Sequence, residues 1–300
     1  MTTEIRLTGL DGSNPLAFLA ALGTLRTLDL AHPSTRPALS WDQDGCWLPC
    51  LHLRESWSNQ DLVDRLTAAL GRTVDHPAWA TFRDLAKISP ADYRAYLDKG
   101  LAETASRWWC DLGAALATDA VLEGGFVAPT AFKFTAGQQH FFEKAGAFVT
   151  RTAPEHLRVA LFGPWVSERG QAGMRWDPGE VREYAHRWKD PSPALEQRTV
   201  PGANRLALEA LALHPTVAAR WEPRTSGFAE VEGYKLCYTW PVWVGWLGAD
   251  SIRSLLSLAE LGTVTPDRRS LAAWGIAEVY RCRRFRLNKY YGCFSPSWSA

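Results

Sequence analysis

The C-terminal part of the sequence concentrates positive charge and aromatic rings in one short segment. Between Tyr280 and Tyr291 there are five cations and no acid: Arg281, Arg283, Arg284, Arg286 and Lys289. A guanidinium group binds phosphate through two parallel hydrogen bonds, and a tyrosine ring can stack on an unpaired base. The segment therefore predicts contacts with single-stranded nucleic acid, made by these cations together with Tyr290 and Tyr291.

The same segment has the composition of a β-strand over Ile276 to Leu287. In a strand, Arg281 and Arg283 would lie on one face and Arg284 and Arg286 on the other. At least one pair would then face solvent or a ligand. The alternative is a solvated edge strand, or arginines paired with acids of neighbouring helices.

A second polar group interrupts an apolar stretch in the middle of the chain. It consists of Lys133, Gln138, Gln139 and His140. Because imidazole titrates near neutral pH, His140 is a candidate general base for RNA cleavage through the 2′-hydroxyl. A histidine beside Phe141 and Phe142 is more often a half-buried structural side chain, so both interpretations stay open.

Other catalytic and metal-binding signatures are absent from the sequence. There is no Gly-x4-Gly-Lys-Ser/Thr phosphate loop, no Gly-x-Ser-x-Gly and no His-Glu-x2-His. Cys46 and Cys50 lack a second Cys or His pair at matching spacing, which favours buried free thiols over a zinc site. Asp42 to Gly45 fits a turn better than a calcium loop, and Asp75 with His76 lacks further ligands. The sequence predicts no metal and no cofactor, and favours a non-catalytic protein over an enzyme.

The overall composition is that of a globular protein without a charge bias. Of 300 residues, 46% are apolar and 22% charged, with a net charge of +1, so a nucleic-acid site would have to be a local patch. The 15 tryptophans indicate many core or interface anchors, which leaves a protein-protein adaptor open. No signal peptide is evident, and no apolar stretch approaches the roughly 20 residues of a membrane helix, so we expect a cytoplasmic protein.

The elements that would position these residues form an α+β pattern. Glu4 to Thr8 alternates like a strand, and Asn14 with Pro15 marks a helix cap and first residue. Within that helix, Gly23 indicates that another backbone passes close. Ala38 to Leu53 is typical of a hairpin with a tight turn.

We expect one elaborated α+β domain over residues 1–300, with a mixed or antiparallel sheet and a mainly helical insertion at about 58–118. Further helices are predicted near Gln138 to Phe148, Val181 to Trp188, Ala203 to Leu213, Ser251 to Leu261 and Pro266 to Trp274. Paired strands are predicted within Ser226 to Trp243.

Six short stretches, spread over most of the chain, carry a resemblance to a known family: Leu10 to Gly23, Trp41 to Leu53, Phe134 to Gln139, Arg175 to Glu180, Gly202 to Leu206 and Val279 to Arg284. Together they resemble accessory and effector proteins of type I-G CRISPR-Cas systems, formerly called type I-U. The resemblance implies a role in prokaryotic RNA-guided antiviral defence, with guide RNA and other Cas subunits as partners. The implied protein is either a RAMP-type subunit with a ferredoxin-like or RRM-like core, or a large-subunit-like protein that contacts target DNA.

The resemblance also implies candidate backbone contacts at Lys133, Gln138, Gln139 and the arginines from Arg281 to Arg286. The glycine-rich loop that RAMP proteins carry near the C-terminus has no counterpart here, where Gly292 stands alone. The leading hypothesis is a non-catalytic subunit that contacts nucleic acid in a type I effector. A guide-RNA-processing endoribonuclease and a protein-protein adaptor of the same assembly remain alternatives.

Overall fold

The helices and strands are those of a computed structural model that describes residues 2–103, 107–134, 140–169, 172–180, 198–231, 233–286 and 292–300. The helices are α1 (Pro15–Ala31), α2 (Asn59–Gly71), α3 (Pro77–Ala80), α4 (Pro90–Ala102), α5 (Arg107–Leu116), α6 (Phe141–Arg151), α7 (Pro154–Phe162), α8 (Pro201–Ala210), α9 (Ala249–Leu255) and α10 (Arg268–Ala273). Turns of 3-10 helix lie at Pro33–Thr35, Pro178–Glu180, Leu211–Leu213 and Ala259–Gly262.

The strands follow one another in short pairs along the chain. They are β1 (Thr3–Arg6), β2 (Ala38–Asp44), β3 (Cys46–Leu53), β4 (Ala117–Glu123), β5 (Phe126–Pro129), β6 (Glu168–Arg169), β7 (Arg198–Thr199), β8 (Thr216–Ala219), β9 (Glu222–Thr225), β10 (Phe228–Val231), β11 (Tyr234–Trp243), β12 (Ile276–Arg286), β13 (Gly292–Phe294) and β14 (Trp298–Ser299).

All the described strand pairs are antiparallel. One sheet has the order β1-β3-β2, a second has the order β10-β11-β12-β13 with β14 also paired to β12, and the remaining pairs are β4-β5, β6-β7 and β8-β9. Helices surround these small sheets, which confirms the predicted α+β class with antiparallel strands.

The first sheet has the strand order of a split βαβ unit. Strands β1 and β2 both run antiparallel to β3, which lies between them, and α1 connects β1 to β2. With α2 following β3, this gives five of the six elements of a ferredoxin-like fold. Among the described residues no fourth strand pairs with β1. The five-stranded sheet does not share this topology, because β10, β11, β12 and β13 pair in the order in which they follow along the chain.

Helix α1 lies inside the hydrophobic core. The Asn14 side chain accepts hydrogen bonds from the backbone N–H groups of Leu16 and Ala17, which confirms the predicted cap. Every residue from Pro15 to Leu28 is buried, so the helix is covered on all sides. A Cβ placed on Gly23 would lie 1.8 Å from the Leu206 carbonyl oxygen of α8, which confirms that a second backbone passes there.

The interface between α1 and α8 contains a buried ionic network. Arg26 Nη1 lies 3.0 Å from Glu209 Oε2, and Arg205 Nη1 lies 2.8 Å from Glu209 Oε1. The indole nitrogen of Trp108 donates to Glu209 Oε2 at 2.6 Å. Helix α5, which carries Trp108 and the buried Trp109, is therefore packed between neighbours, and its two rings are not a free contact surface.

Most predicted elements are present with shifted ends. The hairpin β2-β3 and the strands β10 to β12 are confirmed, and α2 to α5 occupy the stretch predicted to be helical. The single helix predicted over Ser251 to Leu261 is wrong: α9 ends at Leu255 and a 3-10 turn follows. The extended backbone of Leu258, with ψ of 125°, interrupts the helix. The carbonyls of Leu261 and Thr263 after this break accept hydrogen bonds from the Arg281 guanidinium. The helix predicted at Val181 to Trp188 lies outside the described residues.

Three general features bear on the possible chemistry. Across the described ranges, no helix is long and apolar enough to cross a membrane. All six cysteines are free thiols. The described residues contain no group of three or more His, Cys, Asp or Glu side chains placed to hold a metal ion.

Candidate nucleic-acid interface

Strand β12, which carries the predicted arginine cluster, is an interior strand. It pairs with β11 on one side and with β13 and β14 on the other. Arg281 is only 2% exposed, and its guanidinium donates to Thr239 Oγ1 at 2.9 Å and to the carbonyls of Leu261, Thr263 and Val264. These bonds tie the sheet to the 3-10 turn after α9. We therefore assign Arg281 a structural role and do not count it among the residues that could contact nucleic acid.

Arg284 lies at the point where β12 meets the segment after β5. It is half-buried, and its Nη2 donates to the Lys133 carbonyl oxygen at 2.7 Å. The guanidinium also lies 5.1 Å from the centre of the Phe134 ring. The structure thus brings together two predicted site residues that are 151 positions apart in the sequence.

The remaining predicted residues divide into described and undescribed ones. Arg283 is half-buried in β12. The side chain of Arg286 lies outside the described part of the structure, as do Gln138, Gln139, Lys289, Tyr290 and Tyr291. Lys133 and His140 are both described, and they share a neighbour that the sequence did not single out.

That neighbour is Asp84. Its Oδ2 lies 3.8 Å from Lys133 Nζ and 3.9 Å from His140 Nδ1. Its Oδ1 accepts hydrogen bonds from the backbone N–H groups of Phe141 and Leu85, both at 2.9 Å. The carboxylate therefore fixes the start of α6 and lies within 4 Å of both the Lys133 ammonium and the His140 imidazole, at distances longer than a hydrogen bond.

An open groove of about 730 Å³ runs along α6 from His140. It is lined by Val74, Asp75, His76, Trp79, Ala80, His140, Glu143, Lys144, Gly146, Ala147, Thr150, Arg151 and Ala172. On the α6 side, the small residues Gly146 and Ala147 lie between the cations Lys144 and Arg151. The opposite wall is formed by α3 and the loop before it.

Two side chains of the groove have defined hydrogen bonds. Lys144 Nζ donates to the Gly173 carbonyl at 3.2 Å, and burial together with the charge of Arg175 lowers the pKa of Lys144 to about 8. His76 Nδ1 accepts from the backbone N–H of Ala78 at 3.2 Å, which caps α3. Its Nε2 lies 3.3 Å from Glu103 Oε2. His76 therefore has a structural role as well as a place in the groove wall.

We call the basic residues along this surface the basic track; they are Arg284, Lys133, His140, Lys144 and Arg151. Four acids lie near them: Asp84, Glu143, Asp75 in the wall of the same groove, and Glu180, whose charge acts on Lys144. Asp84 is occupied by two backbone N–H groups, and Glu143 lies 3.4 Å from Arg83 Nε on the protein surface. The track is therefore a row of cations interleaved with acids, and two of these acids, Asp84 and Glu143, have partners other than the track cations alone.

Sequence reasoning missed three residues of this site. Lys144 and Arg151 are seven positions apart in α6, which places them on one helix face two turns apart, and this spacing could have been noticed. Asp84 carries no comparable signal, because its role depends on the packing of its loop against the start of α6.

Comparison with known proteins adds no relative. The chain matches no protein-family profile, and neither a curated protein nor a solved structure is significantly similar to it.

Proposed function

We propose that this protein binds single-stranded nucleic acid, with the sugar-phosphate backbone lying along the basic track. The observation that carries the proposal is the convergence of Arg284, Lys133, His140, Lys144 and Arg151 from β12, the segment after β5 and α6. Phosphate binding requires such an array when the net charge is only +1. Guanidinium and ammonium groups supply affinity without reading sequence.

The short stretches that resemble type I-G CRISPR-Cas proteins favour a particular setting for this binding. We propose a non-catalytic subunit of a type I effector, located in the cytoplasm, with guide RNA as the bound strand and other Cas subunits as partners. The β1-α1-β2-β3-α2 order, which follows the first part of a ferredoxin-like fold, is consistent with such a subunit.

Neutralising the track tests the proposal. In the triple variant Lys133→Ala, Lys144→Ala, Arg151→Ala, we expect weaker binding of a single-stranded repeat RNA. The slope of log K against log salt should fall in magnitude by about 2, because each lost phosphate contact removes about 0.7 for a single strand. Fluorescence anisotropy at several salt concentrations measures both quantities.

The matched control is Arg269→Ala, which removes an exposed cation of α10 outside the track. It should leave the salt slope unchanged. Equal affinities and slopes for the wild type and the triple variant would reject the track as the binding surface.

A second candidate function is metal-independent RNA cleavage. The observation that favours it is the placement of Asp84 beside His140 and Lys133, with Lys144 one helical turn from His140. His140 can accept the 2′-hydroxyl proton while the 2′-oxygen attacks the adjacent phosphorus. The bond from phosphorus to the 5′-oxygen then breaks, and the leaving 5′-oxygen takes a proton from the imidazolium or from water, which gives a 2′,3′-cyclic phosphate and a 5′-hydroxyl. The lysines can stabilise charge that develops on the phosphate.

His140→Ala distinguishes this candidate from simple binding. If the protein cleaves repeat RNA in the presence of a chelator, the variant should cleave at least about 100-fold more slowly. This loss should far exceed the weaker binding caused by removing one uncharged residue of the track. Single-turnover gels give the rate constant. Intact RNA after long incubation with the wild type would remove the enzyme hypothesis and leave the binding proposal untouched.

A further inference from the structure

The β8-β9 hairpin presents an isolated tryptophan at its tip. The strands pair from Thr216 with Thr225 to Ala219 with Glu222, so that Arg220 and Trp221 alone form the turn. Trp221 is 90% exposed, more than any other large apolar side chain among the described residues. The ring is therefore offered to the surroundings at the end of a narrow two-stranded arm.

Arg220 and Trp221 are also unusual residues for a two-residue hairpin turn. Arg220 has φ of +60°, in the left-handed region where a two-residue hairpin turn prefers glycine or asparagine. A tryptophan in the same turn gains nothing from burial. Because neither residue helps the hairpin to fold, both point to a contact made outside this chain.

The hairpin adjoins one end of the basic track. Thr225 Oγ1 accepts a hydrogen bond from the backbone N–H of Ala131 at 2.8 Å, two residues before Lys133. Arg224 and Arg284 line a common cavity of about 750 Å³. A strand that leaves the track at Arg284 would thus reach the base of the hairpin at Thr225, and the Trp221 tip lies at the other end of β9.

We propose that Trp221 stacks on an unpaired base of the nucleic-acid strand whose backbone follows the basic track, with Arg220 and Arg224 toward its phosphates. This inference rests on the proposed function and adds a base-contacting residue to it. Within residues 216–225 the two arginines outnumber the single acid, Glu222, so the charge of the arm suits a polyanion. One aromatic ring is sufficient for base stacking.

A protein partner fits the arm less well. A specific protein interface covers about 800 Å² on each partner and surrounds its central aromatic residue with further apolar contacts. At the hairpin tip the neighbours of Trp221 are instead Arg220 and Glu222, both charged. Among the exposed side chains of the hairpin, Arg220, Glu222 and Arg224 are charged, and only Val217 and Ala218 accompany Trp221 as apolar ones. This composition favours a nucleic-acid contact over the apolar surround of a protein interface.

Oligonucleotides with and without bases test the inference. The affinities of the wild type, Trp221→Ala and Trp221→Phe are measured for a single-stranded oligonucleotide and for an abasic strand of equal length and charge. We expect Trp221→Ala to bind the strand with bases about tenfold more weakly and the abasic strand as the wild type does. Trp221→Phe should keep most of the affinity, and Trp274→Ala, which removes a ring that is 60% exposed on another element, should change nothing.

The possible outcomes separate this inference from the proposed function. Binding of both strands by the wild type, with no effect of Trp221→Ala, would overturn the stacking role and leave the track in place. An equal loss on both strands would also overturn it, because the ring would then not act through bases. If the wild type bound neither strand at low salt, both proposals would fall. Loss of a co-purifying protein in Trp221→Ala, with nucleic-acid affinity intact, would assign the hairpin to a protein partner instead.

Discussion

Replacing Glu209 by Gln is expected to reduce the free energy of unfolding by about 3 to 5 kcal/mol, because it removes the ion-pair partner of the buried Arg205 and leaves the buried Arg26 with only the Asp111 carboxylate, 3.7 Å from its Nη2. Glu209 is 3% exposed and lies between Arg26 and Arg205, which are equally inaccessible. Burial by itself raises the pKa of Glu209, but the charges of Arg205 and Arg26 outweigh it and hold the pKa below its usual value. The carboxylate is thus ionised in the folded protein, where it pairs with Arg205 and is the nearer of the two acids that pair with Arg26.

The amide of glutamine keeps the shape of the side chain and removes only the charge. Its NH₂ group would replace one acceptor oxygen by a donor, facing either the Arg26 or the Arg205 guanidinium. Each of the two oxygens now accepts from a different arginine, so either orientation of the amide loses one of these bonds. The resulting cost combines a desolvated cation with a lost charge-assisted hydrogen bond.

Urea unfolding of the wild type and Glu209→Gln measures this effect. Asp250→Asn is the control, because Asp250 is 77% exposed where it pairs with Arg107, and such surface pairs contribute less than about 1 kcal/mol. If Glu209→Gln cost no more than the control, the network would contribute little to stability and the contact between α1 and α8 would depend on apolar packing alone.

The features that could be predicted from the sequence are those whose physics is local. Asn14 before Pro15 satisfies the first N–H groups of a helix wherever that helix lies. Gly23 was informative because a missing side chain in an otherwise apolar helix has few explanations other than close packing.

The features that could not be predicted depend on which elements become neighbours. An arginine on an exposed strand and one on an interior strand have the same local sequence, so the burial of Arg281 beneath the turn after α9 had no signal. The high tryptophan content was likewise ambiguous between core and interface. Among the tryptophans in the described ranges, seven are at most 5% exposed: Trp41, Trp57, Trp79, Trp109, Trp176, Trp240 and Trp243. Much of the apparent evidence for an adaptor is therefore accounted for by the core.

In the candidate site, too, the residue types could be predicted from the sequence but their spatial neighbours could not. Lys133, His140 and Arg284 were predicted from their residue types, and the structure brings them close to one another. Their grouping depends on Asp84, which contacts the first two through its carboxylate. No local pattern links a loop aspartate to a lysine about fifty residues further along the chain.

Glu180 is expected to make the stability of the protein decrease as the pH rises from about 4.5 to about 7. Its carboxyl is buried, and this burial, together with the nearby charge of Asp177, raises its pKa from 4.5 to about 7. Hydrogen bonding from Thr199 and the charges of Arg175 and Lys144 act in the opposite direction but do not cancel the rise.

The sign follows from the protons bound in each state. Between pH 4.5 and 7 the folded protein keeps a proton that the unfolded chain has lost, so raising the pH favours unfolding. The penalty is absent below about pH 4.5 and complete above about pH 7, where it amounts to about 3 kcal/mol. This is opposite to the behaviour of a carboxylate held in an ion pair, such as Glu209.

Glu180→Gln isolates this contribution, because glutamine stays neutral at every pH. Its amide disturbs the hydrogen bonds that the carboxyl accepts from the Arg175 backbone and from Asn204, but that disturbance is a constant offset. The free energy of unfolding of the wild type, minus that of the variant, is the quantity to follow. This difference should fall by about 3 kcal/mol between pH 4.5 and pH 7 and stay constant above pH 7. Other titrating groups act on both proteins and largely cancel.

A difference that stayed flat over this range would mean that Glu180 ionises normally, and would require the segment from Gly173 to Glu180 to admit water. Because Lys144 donates to the Gly173 carbonyl, the same segment supports the groove, and its hydration would reach the basic track.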